Sequence, residues 1–286
     1  MADPKFRIGN LDRLLVLPVP SEAVNAAPVR SGATLTGLSG RRTLQTFGMS
    51  RSWEFTFRGV TPDELAEIES IYQGNIEAPY YMFDPMRKNL LPAELASAKS
   101  IQLGKGYTPS GTVQQNTVMW ATDRTNHPVP QSTSVVQVNT GTNPVVYMRK
   151  DTARTEPVIP GLTYTYSQYV NHVTTPGTVE AFWVWRDKDG VNIGNTAASG
   201  GGFNLGAGWH RHTITGTAPA GACYVQTGVW ANQNNLFQMG PAQLEIGSSA
   251  TSWVPGYGTP MVAIESFEAS YPRFGLVEVQ LTIVET

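Results

Sequence analysis

The chain closes on "YGTPMVAIESFEASYPRFGLVEVQLTIVET", Tyr257–Thr286. Its second half alternates Val277, Val279, Leu281 and Ile283 against Glu278, Gln280, Thr282 and Val284. A period of two marks a strand with one buried face. A two-stranded piece is marginal in water, so this segment needs a sheet to join. The residues just before it do not offer one. "GPAQLEIGSSATSWVPG", Gly240–Gly256, reads as a strand, a polar turn and a Pro-Gly stop, which is the end of a unit.

The partner is sought at the other end of the chain. Leu14–Val19 and Ala33–Leu38 read as strands. In "RSWEFTFRG", Arg51–Gly59, Trp53, Phe55 and Phe57 fall on one face, with Ser52, Glu54, Thr56 and Arg58 on the other. "TPDELAEIESIYQGN", Thr61–Asn75, is the clearest helix. Thr61 is its N-cap, Pro62 suits the first turn, and Glu64 completes a capping box. Leu65, Ile68, Ile71 and Tyr72 form its apolar stripe, and "APYYMFDP" follows as an aromatic strand. The simplest arrangement is an insertion. Residues 1–90 plus 257–286 form one discontinuous domain, and residues 91–256 form a second, placed in a loop of the first. The rival arrangement is a single domain that ends in strands. "VPSEAVNAAPVRSGATLTGLSGRR", Val19–Arg42, reads alone as a flexible loop.

The middle of the chain has a different texture. Charge falls, Thr, Asn, Gln and Gly take over, and short strands recur between turn residues, as in a sandwich or barrel. We read them near Thr133–Val138, Val145–Arg149, Thr163–Asn171, Thr178–Arg186, His210–Thr217, Cys223–Ala231 and Phe237–Ile246. "DKDG", Asp187–Gly190, is a hairpin turn. "AASGGGFNLGAG", Ala197–Gly208, is a loop.

Composition bounds the function. Of 286 residues, 41% are hydrophobic and only 15% charged, with 28 Gly and 20 Pro, the profile of a turn-rich β protein with a core. A net charge of −2 without a basic run argues against nucleic-acid partners and against attraction to a lipid surface. Cys223 is the only cysteine, which excludes a disulfide framework and a cysteine-rich zinc site. The apolar run Leu14–Leu17 is short and stops at Pro18, so no secretory signal is read. Synthesis in a cytoplasm and no membrane insertion are expected.

The middle segment resembles the jelly-roll carbohydrate-binding modules of glycosidases and phage tail proteins. The stretches that carry the resemblance are "NLLP", "VIPGLTYTYSQYV", "AFWVWRDKDGVNIG", "GWHRHTITGTAPAGACYVQTGVW" and "GPAQLEIGSSATSWVPG", in the family's order. One departure is Met239-Gly240-Pro241-Ala242, where the family often has an acid before Gln-Leu-Glu. It weakens the case for the family's calcium site, and a structural calcium is left open with no other cofactor expected. The flanking segments resemble the distal tail proteins of long-tailed bacteriophages, in "SWEFTF", the capped helix, the aromatic strand and "VEVQLTIVE". The resemblance implies a mainly β protein: a sheet-plus-short-helix tail domain interrupted by a jelly-roll sandwich. It implies a virion protein at the tail tip, made in the host cytoplasm. Its partners would be itself in a ring, other tail proteins, and a host-surface glycan; the alternatives are a free carbohydrate-binding or adhesin protein, and a purely decorative tail module without sugar binding. The Val19–Arg42 segment would then cover a neighbouring subunit, with Arg41 and Arg42 offered for pairing between subunits or for a solvated turn.

Sugar recognition needs flat aromatic surfaces and side chains that both donate and accept hydrogen bonds. In "CYVQTGVW" we assign Val225, Thr227 and Val229 to the core and Tyr224, Gln226, Gly228 and Trp230 to the outer face. In "EAFWVWRD" we assign Phe182 and Val184 inward and Trp183, Trp185 and Asp187 outward. The expected carbohydrate site is Trp183, Trp185, Tyr224, Gln226 and Trp230, unless the tryptophans are core. Asn232–Asn235 suit sugar hydroxyls or a turn equally. His210 and His212 flank Arg211 as a surface pair on one strand face, without an evident third metal ligand, so no metal site is expected. Glu180, Asp187, Asp189 and Glu245 are each explained by a strand or turn, and no nucleophile or phosphate-loop motif occurs. No catalytic residue and no enzyme activity are expected.

Overall fold

The computed structural model describes residues 5–36, 39–97, 107–110, 113–120, 128–129, 134–140, 145–149, 155–172, 178–196, 208–231, 236–273 and 275–286. In chain order the elements begin with β1 (Arg7–Gly9), β2 (Leu14–Val16), β3 (Asn25–Thr36), β4 (Arg42–Val60), α1 (Pro62–Tyr72), β5 (Tyr80–Phe83) and α2 (Ala93–Ala96). There follow β6 (Tyr107–Ser110), β7 (Val113–Trp120), β8 (Ser134–Thr140), β9 (Val145–Arg149), β10 (Glu156–Pro157) and β11 (Thr163–His172). The remainder are β12 (Val179–Arg186), β13 (Asn192–Thr196), β14 (Gly208–Thr217), β15 (Tyr224–Ala231), β16 (Leu236–Ile246), β17 (Met261–Arg273) and β18 (Leu276–Glu285). The chain divides into two compact units, Pro4–Pro85 with Pro260–Thr286, and Met86–Thr259.

The first unit is a seven-stranded antiparallel sheet in the order β2-β1-β5-β17-β18-β4-β3. The C-terminal strand β18 sits inside it, between β17 and β4, with Val279 opposite Phe57, Leu281 opposite Phe55 and Ile283 opposite Trp53. Residues directly opposite in an antiparallel pair share a face, so the two alternating patterns merge into one apolar surface. Trp53, Phe55, Phe57, Val277, Val279, Leu281 and Ile283 are all buried there. Helix α1 covers it with Leu65, Ile68 and Ile71. Its capping box is formed: Glu64 N donates to Thr61 Oγ1 at 3.3 Å, and Thr61 N donates to Glu64 Oε2 at 2.9 Å. Tyr72 falls outside the stripe. It is 48% exposed, with its ring 5.6 Å from that of Phe267.

The stretch that alone reads as a flexible loop is instead a β-hairpin. β3 and β4 pair from Asn25–Glu54 out to Thr36–Arg42. β18 pairs with β4 only over Ser52–Val60. From Pro28 outward the hairpin therefore has only itself to bond to among the described residues, an arm of roughly 30 Å at about 3.3 Å per residue. At its root Arg51 donates twice to the Glu285 carboxylate, at 2.8 and 2.9 Å, and its guanidinium lies 5.7 Å from the Trp53 ring.

The second unit is a jelly-roll β-sandwich. One sheet runs β13-β12-β15-β9-β6, with β10 paired to β15, and the other runs β14-β11-β16-β8-β7. Its core joins Val179, Ala181, Trp183, Trp185, Val225 and Val229 of the first sheet to Tyr164, Tyr166, Ile214, Phe237 and Leu244 of the second. Asn89 ties the two ends of the unit together. Its Nδ2 donates to the carbonyls of Ala242 and Val254 at 3.1 and 2.9 Å, and its Oδ1 accepts from Leu91 N and Leu244 N at 3.2 Å. Tyr257 N and Gly258 N in turn donate to Asn89 O and Leu91 O.

Candidate functional site

The first result at the expected sugar site is a correction. Trp183 and Trp185 do not face solvent; they are 0% and 3% exposed. Strand pairing gives the reason. Trp183 lies opposite Thr227 and Trp185 opposite Val225. Since opposite residues share a face, tryptophans outward and Val225, Thr227 and Val229 inward are incompatible assignments. β15 has the assigned parity, and β12 has the reverse. The tryptophan rings lie 4.8 Å apart, and Trp185 meets Tyr164 of the opposing sheet at 6.1 Å. Trp183 also presses on Gly216 of β14, where an added Cβ would stand 3.1 Å from its Cζ2. Both rings are inter-sheet packing, and "TITGT" accommodates them with a missing side chain.

Reversing the β12 parity defines another surface. On the outer face of this sheet, Glu180 lies opposite Trp230, Phe182 opposite Gly228, Val184 opposite Gln226 and Arg186 opposite Tyr224. Glu180, Phe182, Arg186 and Trp230 are partly exposed, whereas Val184, Gln226 and Tyr224 are buried. The open end therefore carries an indole, a phenyl ring and a carboxylate, and the closed end carries an ordered polar pair. Arg186 donates through Nε and Nη2 to Gln226 Oε1, at 3.1 and 2.6 Å, and through Nη1 to Gly190 O at 2.7 Å. These bonds fix the Gln226 amide with its oxygen toward the arginine. Burial pushes the Glu180 carboxyl above the ordinary carboxylate range. Of the expected set, Tyr224, Gln226 and Trp230 share this face; Glu180, Phe182 and Arg186 join them. Phe182 was misplaced by one step of strand parity, and Arg186 carries no sequence signal distinguishing it from any strand-end arginine.

The Gln243-Leu244-Glu245 stretch has a structural explanation. Gln243 and Glu245 point outward from β16 and hold the segment that follows it. Glu245 accepts from Thr251 N at 2.9 Å, Thr251 Oγ1 at 2.7 Å and Gln243 Nε2 at 2.8 Å. Gln243 Oε1 accepts from Val254 N at 2.9 Å. Trp253 Nε1 donates to the carbonyls of Ala96 and Ala242, both at 3.0 Å. Glu245 thus closes the unit, as its structural reading expects. The Asp187 turn is also self-contained, its Oδ1 accepting from Asp189 N and Val191 N.

The histidines need a second correction. His210 and His212 do share a face, but it is the inward one, continuing to core Ile214, and His212 is 4% exposed. Arg211 between them points outward. Among the described residues no group of three or more His, Cys, Asp or Glu is placed to hold a metal. The polar run Asn232–Asn235 and the loop over residues 197–207 lie outside the described residues.

No known protein-family profile matches the chain, and no curated protein matches it. Solved structures do resemble it. The enzymatically active domain of Bacteriophage CBA120 tailspike protein 4 is similar over 56% of this chain and 21% of that one, at 13% identity and a TM-score of 0.38. The CBM22-1–GH10 modules of Clostridium thermocellum xylanase 10B, complexed with xylohexaose, match over 59% and 30%, at 12% identity and 0.36. TmCBM61 in complex with β-1,4-galactotriose matches over 56% and 99%, at 12% identity and 0.35. The chain thus spans less than a third of the tailspike and xylanase structures. What it does must be read from its own side chains.

Proposed function

We propose that the Met86–Thr259 unit binds glycan chains on the outer face of its β12–β15 sheet, without catalysing their cleavage. The observation that carries this reading is Trp230 beside Glu180, with Phe182 two residues along β12 and the Arg186–Gln226 pair beyond. An exposed ring supplies a flat apolar surface for the C–H face of a pyranose. A carboxylate accepts from two vicinal hydroxyls, and the Arg186–Gln226 pair fixes the strand ends beyond it. Tyr224 borders the same row. We further propose that the chain is a structural virion protein of a phage tail tip. The Pro4–Pro85 and Pro260–Thr286 unit would assemble with copies of itself and with other tail proteins, and the sandwich would contact host-surface glycans. The unsupported β3–β4 arm favours assembly, since a lone two-stranded ribbon is marginal until something covers it. Copies in one assembly would turn weak single contacts into avidity.

The test is a glycan array followed by calorimetry on the full chain. Trp230→Ala and Phe182→Ala should abolish the affinity measured for a neutral glycan, and the oligosaccharide should be recovered intact with no new reducing ends. Unchanged binding in both variants would sink the assigned face. Binding by a stable monomer would favour a free carbohydrate-binding protein over the virion reading.

A further inference from the structure

The outer face of the other sheet carries a pocket of about 430 Å³, lined by Pro128, Val129, Tyr169, Arg211 and the Ala250–Trp253 segment. Its size falls within the roughly 300–1,000 Å³ of small-molecule sites. It is separate from the Trp230 face, which belongs to the opposite sheet. Arg211 is fixed in its wall. Nη1 donates to Thr251 O at 2.6 Å, Nη2 donates to Ser167 Oγ at 2.8 Å, and the guanidinium lies 5.3 Å from the Tyr169 ring.

All of these partners are neutral. Among the described residues Arg211 makes no ion pair. The acid nearest in the bonding network is Glu245, which spends its oxygens on Thr251 and Gln243 rather than on the arginine. Arg211 Nε is wholly buried and makes no hydrogen bond. A part-buried charge is costly until an opposite charge meets it. A guanidinium already held in place is suited to a planar carboxylate, because little side-chain freedom remains to be lost on binding. Trp253 borders the pocket with its indole fixed by two carbonyls, and Thr251 and Ser252 bring hydroxyls to the same wall.

We infer that this pocket is a second saccharide site, selective for a sugar that carries a carboxylate, with Arg211 as the anchor for the anion. The fixed positive charge selects the acid, and the aromatic and hydroxyl-bearing wall accepts the ring.

The test is calorimetry of the full chain with three probes: a galacturonic acid trimer, the neutral galactose trimer, and sodium acetate. The acidic trimer should bind, and binding should weaken as salt rises. Arg211→Gln should reduce affinity at least tenfold. Because Arg211 also pins Thr251, Ser252→Asp supplies an independent variant. It places a negative charge on the exposed rim with Arg211 intact, and it should reduce affinity for the acidic trimer by a similar factor at unchanged melting temperature. Trp230→Ala should leave this binding untouched, which separates this site from the one proposed on the other sheet. The inference is overturned if folded Ser252→Asp binds the acidic trimer as wild type does. It is equally overturned if Trp230→Ala removes that binding, or if acetate binds as tightly as the trimer.

Discussion

The difference between Trp183 and Trp230 is one of strand parity, and it separates stability from binding. Trp183 is fully buried against Gly216 and Trp185. Trp183→Ala should cost about 3–5 kcal/mol, as for large aromatic truncations in cores, and chemical denaturation will read it. Trp230→Ala should leave the denaturation midpoint nearly unchanged and remove binding of neutral glycans. Glu180 tests the same face through its charge. Burial raises its carboxyl pKa, so the folded protein holds that proton more tightly than the unfolded chain does. Stability from this group is therefore full below the unfolded carboxylate pKa and falls as pH rises from there through the raised folded value. Glu180→Gln should flatten that fall in a series of melts, and it should also weaken glycan binding, because an amide replaces a group that accepts through both oxygens. Weaker binding with no change in the pH dependence of stability would contradict the assigned environment. Sequence named Tyr224, Gln226 and Trp230 because β15 has one apolar parity. It misplaced Trp183 and Trp185 because "AFWVWR" is apolar at nearly every position, so alternation carries no sign there; only the partner strand supplies it.

At the scale of elements, legibility tracked the strength of the period. The inner part of β4 (Arg51–Gly59), α1 and β18 are plain in the sequence because polar and apolar residues separate cleanly and the helix carries its own capping residues. Thr61→Ala, which removes one half of the capping box, should cost about 1 kcal/mol in thermal unfolding. The β3–β4 hairpin was illegible beyond a short strand. The stretch Val19–Arg42 is rich in Ala, Gly, Ser and Thr and alternates little, so nothing in it names a partner strand. The segment after β16 shows the converse, a stretch that resembles a known pattern in sequence but whose cause is visible only in the fold. Glu245 accepts three hydrogen bonds from one short stretch, and bonds to a charged group are worth roughly 1.5–3 kcal/mol each. Glu245→Ala should therefore destabilise the sandwich by several kcal/mol in denaturant melts, well beyond a surface substitution. Gly256 belongs to the same closure. An added Cβ would lie 2.3 Å from Leu91 O and 2.5 Å from Ala96 Cβ, which explains the glycine of the Pro-Gly ending.

For the molecule as a whole, the informative feature is where chain ends meet. Within the sandwich unit, Tyr257 and Gly258 bond to Asn89 and Leu91, so the residues that enter the unit and those that leave it are neighbours. A unit whose ends meet can sit in a loop of another with little cost in loop closure. The sheet of the first unit is likewise completed by residues from both ends of the sequence, through β18 on β4 and β17 on β5. Two cores that share no residue should unfold separately when cut apart. The Met86–Thr259 segment expressed alone should give a folded monomer with a cooperative melt and the same glycan affinity as the full chain. Assembly belongs to the other unit. Replacing the outer arm, residues 29–50, by a two-residue turn removes a ribbon that makes no other strand pairs among the described residues. Light scattering should then show a smaller species than the full chain forms, with its melting transition retained and its affinity per protomer for a short oligosaccharide unchanged. Adhesion to a glycan-coated surface should nonetheless fall by at least tenfold, because avidity depends on copies held together. An unchanged mass after removal of the arm would assign assembly to another surface.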